Sequence, residues 1–156
     1  MNSLENLIGE LCKVILPISE ESYLGNTDSS IAICTLSSMD LLEKISNSEI
    51  LNHISIAGRL LSENKGIDSI IKYINQNKKI KTIIVCGKEI WGHKAGHSLI
   101  ELHKNGIDDY GRIINSTSPD PFLTVNKSEV YHFQNEIKLV NIINETNFDT
   151  IKKFVL

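Results

Sequence analysis

Thr82-Ile83-Ile84-Val85-Cys86-Gly87-Lys88-Glu89-Ile90-Trp91-Gly92-His93-Lys94-Ala95-Gly96 is the stretch that decides the fold. A β-branched and apolar run stops at Gly87, and a mixed polar turn follows. From Lys94 the apolar residues change their spacing: Ala95, Leu99 and Leu102 share one helical face, with His97, Glu101 and Lys104 on the other. Strand, tight connection and helix in that order form the repeating unit of an α/β domain. The alternation extends both ways. The patterns predict strands over residues 30–36, 53–57, 81–86 and 137–143, and helices over 39–46, 67–75, 94–104, 127–134 and 148–154. Parallel strands need long crossovers, which helices supply, so the expected fold class is α/β, a mainly parallel sheet with helices on both faces.

Two further segments stand apart. Leu4, Leu7, Ile8 and Leu11 lie at helical spacing within residues 1–16, which are expected to form an N-terminal helical extension packed on the domain. Residues 115–126, with Ser, two Pro and Asn, make the one long connection, and connections of that length often carry function.

A chain of 156 residues suits one domain over 1–156, and 41% hydrophobic with 22% charged residues is globular composition. Sixteen basic against nineteen acidic residues give a net charge of −3, with no basic cluster interleaved with aromatics, so nucleic acid is not an expected partner. Cys12, Cys34 and Cys86 are odd in number and scattered, and the last two sit in apolar runs. They read as buried thiols of a cytoplasmic protein rather than a disulfide framework. No secretory leader is recognisable, and no apolar run approaches the roughly 18–20 residues of a membrane helix, so membrane insertion is not expected.

In open α/β sheets ligands bind beyond the carboxyl ends of the strands, which directs attention to the Gly87–His93 turn. Gly87 and Gly92 stand five apart as in phosphate-cradling loops, but His93 takes the place of the Lys and no hydroxyl follows it. At the predicted helix start, His93 would face the positive end of the helix dipole. That disfavours the imidazolium and leaves a neutral ring, the form a metal binds. Gly92 and Gly96 either clear space for a wide, flat ligand or serve a tight turn and close helix packing. His93 and His97 lie four apart, with Glu101 continuing the stripe, and this makes a zinc-binding module the rival reading. His103 reads as a packed, hydrogen-bonded residue, and His53 and His132 as structural.

Several motifs occur together: Tyr23-Leu24-Gly25-Asn26, Thr35-Leu36, Ile56-Ala57-Gly58, Ser62-Glu63-Asn64-Lys65-Gly66-Ile67, Cys86 through Gly96, Leu102-His103-Lys104-Asn105-Gly106-Ile107-Asp108, Gly111-Arg112-Ile113-Ile114 and Pro121-Phe122. With them, the stretch from Pro17 to about Asn144 resembles the A subunit of tetrahydromethanopterin S-methyltransferase, the corrinoid-carrying component of a methyl-transfer complex in methanogenic archaea. The resemblance implies a Rossmann-like three-layer domain that holds cobalamin, or another cobamide, with its own nucleotide base displaced. The His of the Gly-His-x-x-Gly loop is the cobalt ligand in that family, which puts lower axial ligation on His93. It also implies a cofactor-binding set of Thr35, Leu36, Ser37, Gly58, Glu63, Asn64, Gly66, Gly87, Lys88, Glu89, Gly92, His93, Gly96, Pro121 and Phe122, with no separate catalytic residue.

The implied function is a corrinoid shuttle between a tetrahydropterin-type C1 donor and an acceptor such as a thiol, working with partner methyltransferase proteins. A corrinoid storage or delivery protein without turnover is the alternative. Three departures from pattern stand out. Arg59 replaces a family Pro, and His97 a Gln-like residue. Trp91 occupies the place of the Asp in the Asp-x-His-x-x-Gly signature of other corrinoid methyltransferases, so His93 must find a different acceptor for its second nitrogen. Membrane-bound members add a C-terminal hydrophobic helix; residues 148–156 are too short for one, so sodium pumping is not carried over.

Overall fold

The computed structural model describes residues 21–156; the helix expected over residues 1–16 lies outside them. The four predicted strands form as β2 (Ile31–Cys34), β3 (Ile56–Gly58), β4 (Thr82–Val85) and β5 (Lys138–Asn141), each shorter than its apolar run. They pair in parallel, and β1 (Ser22–Leu24) adds an antiparallel edge to β3, giving the order β1-β3-β2-β4-β5. The start predicted for β3 is corrected. Ser48 accepts the Ile50 N–H at 3.3 Å and turns Glu49–His53 into a 3-10 helix that buries Ile50, so extended backbone resumes only later.

The helices are α1 (Met39–Ser46), α2 (Lys65–Gln76), α3 (Ala95–Asn105), α4 (Lys127–Glu136) and α5 (Phe148–Lys152). Their starts follow capping chemistry. Asn64 accepts the Lys65 N–H, and Asn126 with Glu129 forms a reciprocal capping box at α4.

Side chains alternate across the sheet with period two, and each set finds its own helices. On one face Ala32, Cys34, Ile83 and Val85 cluster with Ile67, Ile71 and Ile74 of α2, Leu99 and Leu102 of α3, and Val130 and Phe133 of α4. On the other, Ile33, Ala57, Ile84 and Cys86 cluster with Leu41, Leu42 and Ile45 of α1 and Ile151 of α5. This is the expected three-layer α/β architecture. The chain leaves β2 towards β3 on one side and re-enters at β4 on the other, so the carboxyl ends of β2 and β4 form a topological switch point.

Residues 106–126 form no long element but are pinned. Isolated bridges join Ile107 to Ile113 and Arg112 to Phe122. Asp68, 7% exposed on α2, accepts the Thr124 and Val125 amides and the Thr124 hydroxyl at 2.9–3.1 Å. Truncating it strands those donors. Asp68→Ala is therefore expected to lower unfolding stability by about 2–3 kcal/mol, measured by urea denaturation. Cys34 and Cys86 are buried, and burial pushes the Cys86 thiol well up. Neither should react with iodoacetamide until the protein unfolds, a difference that mass spectrometry reads directly.

Candidate functional site

The floor of the site is the interlock of the loops that follow β2 and β4. Gly87 has φ +76°, and a Cβ there would stand 2.0 Å from the Thr35 carbonyl oxygen, so only glycine allows the two loops to close. Ser37 donates its backbone N–H and its hydroxyl to the Lys88 carbonyl at 3.1 and 2.7 Å, and the Lys88 N–H returns to the Ser38 hydroxyl at 2.8 Å. Thr35 N–H reaches the Gly58 carbonyl at 2.9 Å, which brings the end of β3 into the same platform. Leu36, fully buried, holds φ +49°, a left-handed conformation that a leucine adopts only where its surroundings impose it. Thr35, Leu36, Ser37, Gly58, Gly87 and Lys88 thus lie together at the carboxyl ends of β2, β3 and β4.

Beyond Lys88 the structure revises three expectations. First, α3 begins at Ala95 rather than Lys94, with Lys94 as a left-handed N-cap at φ 50°, ψ 48°; His93 lies one residue before the cap rather than at the helix start. Second, the positive end of α3 is already satisfied. Glu89 accepts the Gly96 and His97 N–H groups at 3.0 and 2.8 Å and its neighbour Ile90 N–H at 2.9 Å. Its carboxylate sits where a phosphate would bind, so it displaces the phosphate-loop reading and removes the dipole argument for a neutral His93. Third, Gly96 gives a ligand no clearance: a Cβ there would meet Glu89 Oε2 at 2.8 Å, Leu36 at 3.0 Å and Ile143 at 3.1 Å, so its bareness serves helix packing. Gly92 is different again. Nothing stands within 4 Å of its would-be Cβ, and φ +87° is what calls for glycine.

His93 emerges from this turn with its ring side chain 58% exposed, and Nδ1 lies 3.0 Å from Oε2 of Glu63, whose side chain is 2% exposed. The other Glu63 oxygen accepts the Asp120 N–H at 3.0 Å, and Asn64 Nδ2 donates to the Asp120 carbonyl and carboxylate at 3.2 and 3.1 Å. The β3–α2 loop, the His93 turn and the long 115–126 loop therefore converge on one carboxylate. Pro121 is buried behind them and Phe122 is 45% exposed at the rim, while Gly66 lies in the first turn of α2, its N–H on Ser62 Oγ at 2.7 Å. Trp91 stands 96% exposed.

The remaining histidines take other roles. His97 Nε2 accepts the Thr117 N–H at 3.1 Å and steadies the long loop. Among the described residues no group of three His, Cys, Asp or Glu side chains could hold a metal, so the zinc reading of His93 and His97 finds no third ligand. His103 is packed as expected, with Nε2 on the Ile137 carbonyl at 2.8 Å and its ring edge-on to Phe133.

Sequence reasoning passed over the buried hydroxyls of Ser98, Ser116 and Ser118, joined at 2.6 Å, which reach the Lys94 carbonyl beneath His93. A serine on the apolar face of α3 was the available signal. It also passed over Asp120, whose signal was its place between Pro119 and Pro121. The chemical capacity of the site follows from its donors. One exposed, oriented imidazole suits a metal whose equatorial positions a macrocycle already fills, not a bare ion that needs three or four protein ligands. Glu89→Ala should fray the first turn of α3 at a cost of about 1–3 kcal/mol, read as faster hydrogen exchange at the Gly96 and His97 amides.

Comparison with known proteins bears on the same residues. The family model that describes the A subunit of tetrahydromethanopterin S-methyltransferase, MtrA, matches residues 14–155. The A subunit of the putative methyltransferase Mtx of Methanosarcina barkeri is 39% identical over 141 residues, which is 89% of this chain and 68% of that protein. Its namesake in Methanosarcina acetivorans is 36% identical over 140 residues, 89% of this chain and 67% of the relative. Form 1 of the tetrahydromethanopterin S-methyltransferase A subunit of Methanothermobacter marburgensis is 32% identical over 139 residues, 87% of this chain but 56% of that longer protein. With the match running through the strands, the His93 turn and the Glu63 loop alike, the chain belongs to the MtrA family, the A subunits of tetrahydromethanopterin S-methyltransferase.

Proposed function

We propose that this chain is a cobamide-binding component of a methyl-transfer system, with His93 as lower axial ligand to cobalt through Nε2. The observation that carries the reading is the presentation of His93: an exposed ring at the switch point, with Nδ1 held by buried Glu63. Family membership supports the methyltransferase assignment. When bound, a corrinoid supplies a cobalt centre that accepts and releases a methyl group.

The protein's own part is to bind and orient. Ser37, Gly58 and Lys88, set on buried Thr35, Leu36 and Gly87, would form the floor at the strand ends, and Glu63, Asn64, Pro121 and Phe122 the rim beside His93. Gly92 shapes the turn that carries His93. Gly66, Glu89 and Gly96 act beneath, by fixing where α2 and α3 begin. The names of the relatives support a tetrahydromethanopterin-type donor and partner subunits. A thiol is the acceptor we favour, and two buried thiols support a cytoplasmic setting. Among the described residues no helix is long and apolar enough to cross a membrane.

Mixing the purified protein with hydroxocobalamin is expected to give a one-to-one complex by calorimetry and a changed visible spectrum. In the Co(II) state, an axial nitrogen should split the cobalt resonance into triplets, which nitrogen-15 histidine turns into doublets. His93→Ala should lose that splitting, while His97→Ala and His103→Ala keep it. Stability of His93→Ala should fall by about 1–3 kcal/mol with the fold retained, because one oxygen of buried Glu63 is left without its donor. Absence of binding, or histidine splitting that persists in His93→Ala, would overturn the assignment.

A further inference from the structure

We infer that residues 4–15, which precede the described part of the chain, dock as an amphipathic helix in the apolar groove between α2 and the β1–β3 edge of the sheet, and so complete the core on that side.

The groove follows from the pleat. Leu24 of β1, Ile56 of β3 and Ala32 of β2 are paired in register, and their neighbours Tyr23 and Ala57 pack on the α1 side, so the row Leu24, Ile56, Ala32 points to the face that carries α2. Ala32 is buried, Ile56 only partly, and Leu24 is 63% exposed. A groove of about 180 Å³ opens here, lined by Ala32, Cys34 and Ile56 from the sheet and by Ile70 and Tyr73 of α2, which are themselves partly buried. Its helical wall comes from α2 alone. The described residues therefore bury the centre of this face and leave an apolar band uncovered at its edge.

The chain brings an apolar stripe to that edge. Glu21 lines the groove, and its carbonyl accepts the Arg59 N–H at 3.3 Å, so the backbone joins the sheet at the groove itself. Ahead of it, Leu4, Leu7, Ile8, Leu11 and Ile15 fall on one side of a helical wheel, Glu5, Asn6, Glu10 and Lys13 on the other, and Pro17 closes the pattern. Four residues, Pro17 to Glu20, link that pattern to Glu21, and four extended residues span at most about 14 Å. A helix over residues 4–15 must end within that distance of the groove, at an effective concentration on the order of millimolar. Burying stripe and groove against each other removes both from water. The family match begins at residue 14, so most of this stripe lies ahead of the family pattern. Gly58 lines the same groove and accepts the Thr35 N–H at 2.9 Å, so covering the groove also steadies the strand end from which the loop after β2 hangs.

Methyl-labelled full-length protein tests the inference by nuclear Overhauser spectroscopy. Cross-peaks are expected from the Leu7, Ile8 and Leu11 methyls to Ile56, Ile70 and the Tyr73 ring. In a mixture of labelled and unlabelled chains, isotope-filtered spectra should lack them, because the contacts lie within one chain. Leu7→Asp combined with Ile8→Asp puts two carboxylates on the stripe. That variant should shift the Ile56, Ile70 and Tyr73 resonances and lower amide exchange protection over residues 4–15 about tenfold or more, while Phe133 and Ile151 stay in place. Glu5→Gln combined with Glu10→Gln, on the polar side, should change neither readout.

Absence of stripe-to-groove cross-peaks in the unsubstituted chain overturns the inference, whatever the variants do. Cross-peaks that survive isotope filtering place the stripe of a second copy in the groove and overturn it as well, as do groove resonances that the double Asp variant leaves unmoved.

Discussion

Contact between Gly87 and the Thr35 carbonyl sets the distance on which the rest of the molecule depends. The loops leaving β2 and β4 can close against each other only because Gly87 has no Cβ, which would stand 2.0 Å from that carbonyl oxygen. Closure lets the Ser37, Ser38 and Lys88 hydrogen bonds form, and these hold the two central strand ends level. Leu36 accepts an unfavourable left-handed backbone to complete the platform, its side chain seated in the core in exchange. Everything that presents His93 is mounted on that interlock.

Around it, three acidic residues hold in place what regular secondary structure holds elsewhere. Asp68 gathers the Thr124 and Val125 amides, Glu89 caps α3, and Glu63 joins His93 to Asp120. In each case one carboxylate accepts from two or more backbone or ring N–H groups, which offsets the desolvation of a buried or half-buried charge. The pattern explains how long loops, which usually drift, can hold a ring in one orientation. Removing any of the three leaves several donors unmet at once, so none acts as an isolated hydrogen bond.

The periodicities of α1 and α4 place their first residues correctly because local chemistry marks them: the apolar spacing of Leu41, Leu42 and Ile45, and the Asn126–Glu129 box. Thr82–Val85 is apolar enough to be recognised as a central strand, so the turn that follows it could be placed at a strand end. What sequence could not convey is long-range pairing. Glu63 and His93 are 30 residues apart, Asp68 and Thr124 are 56 apart, and no local spacing announces either. Glu89 entered the binding set with the loop that the resemblance implied, and no local spacing announced the Gly96 and His97 N–H groups that it accepts. β1 has only three residues and pairs through its backbone, so its composition says little.

That short antiparallel strand also bears on how the protein behaves in a crowded solution. Sheet edges are templates onto which foreign strands can add, and long, flat, apolar edges are the most hazardous. β1 replaces the parallel edge of β3 with a three-residue one of opposite direction, and β5 ends the other side after four residues, opening with exposed Lys138 and closing with exposed Asn141. An incoming chain would find few backbone groups in register, and a charge at the first of them. The β-rich runs that build the centre of the sheet, Ile31–Cys34 and Thr82–Val85, are the segments most able to seed aggregation, and both are enclosed by neighbours on either side.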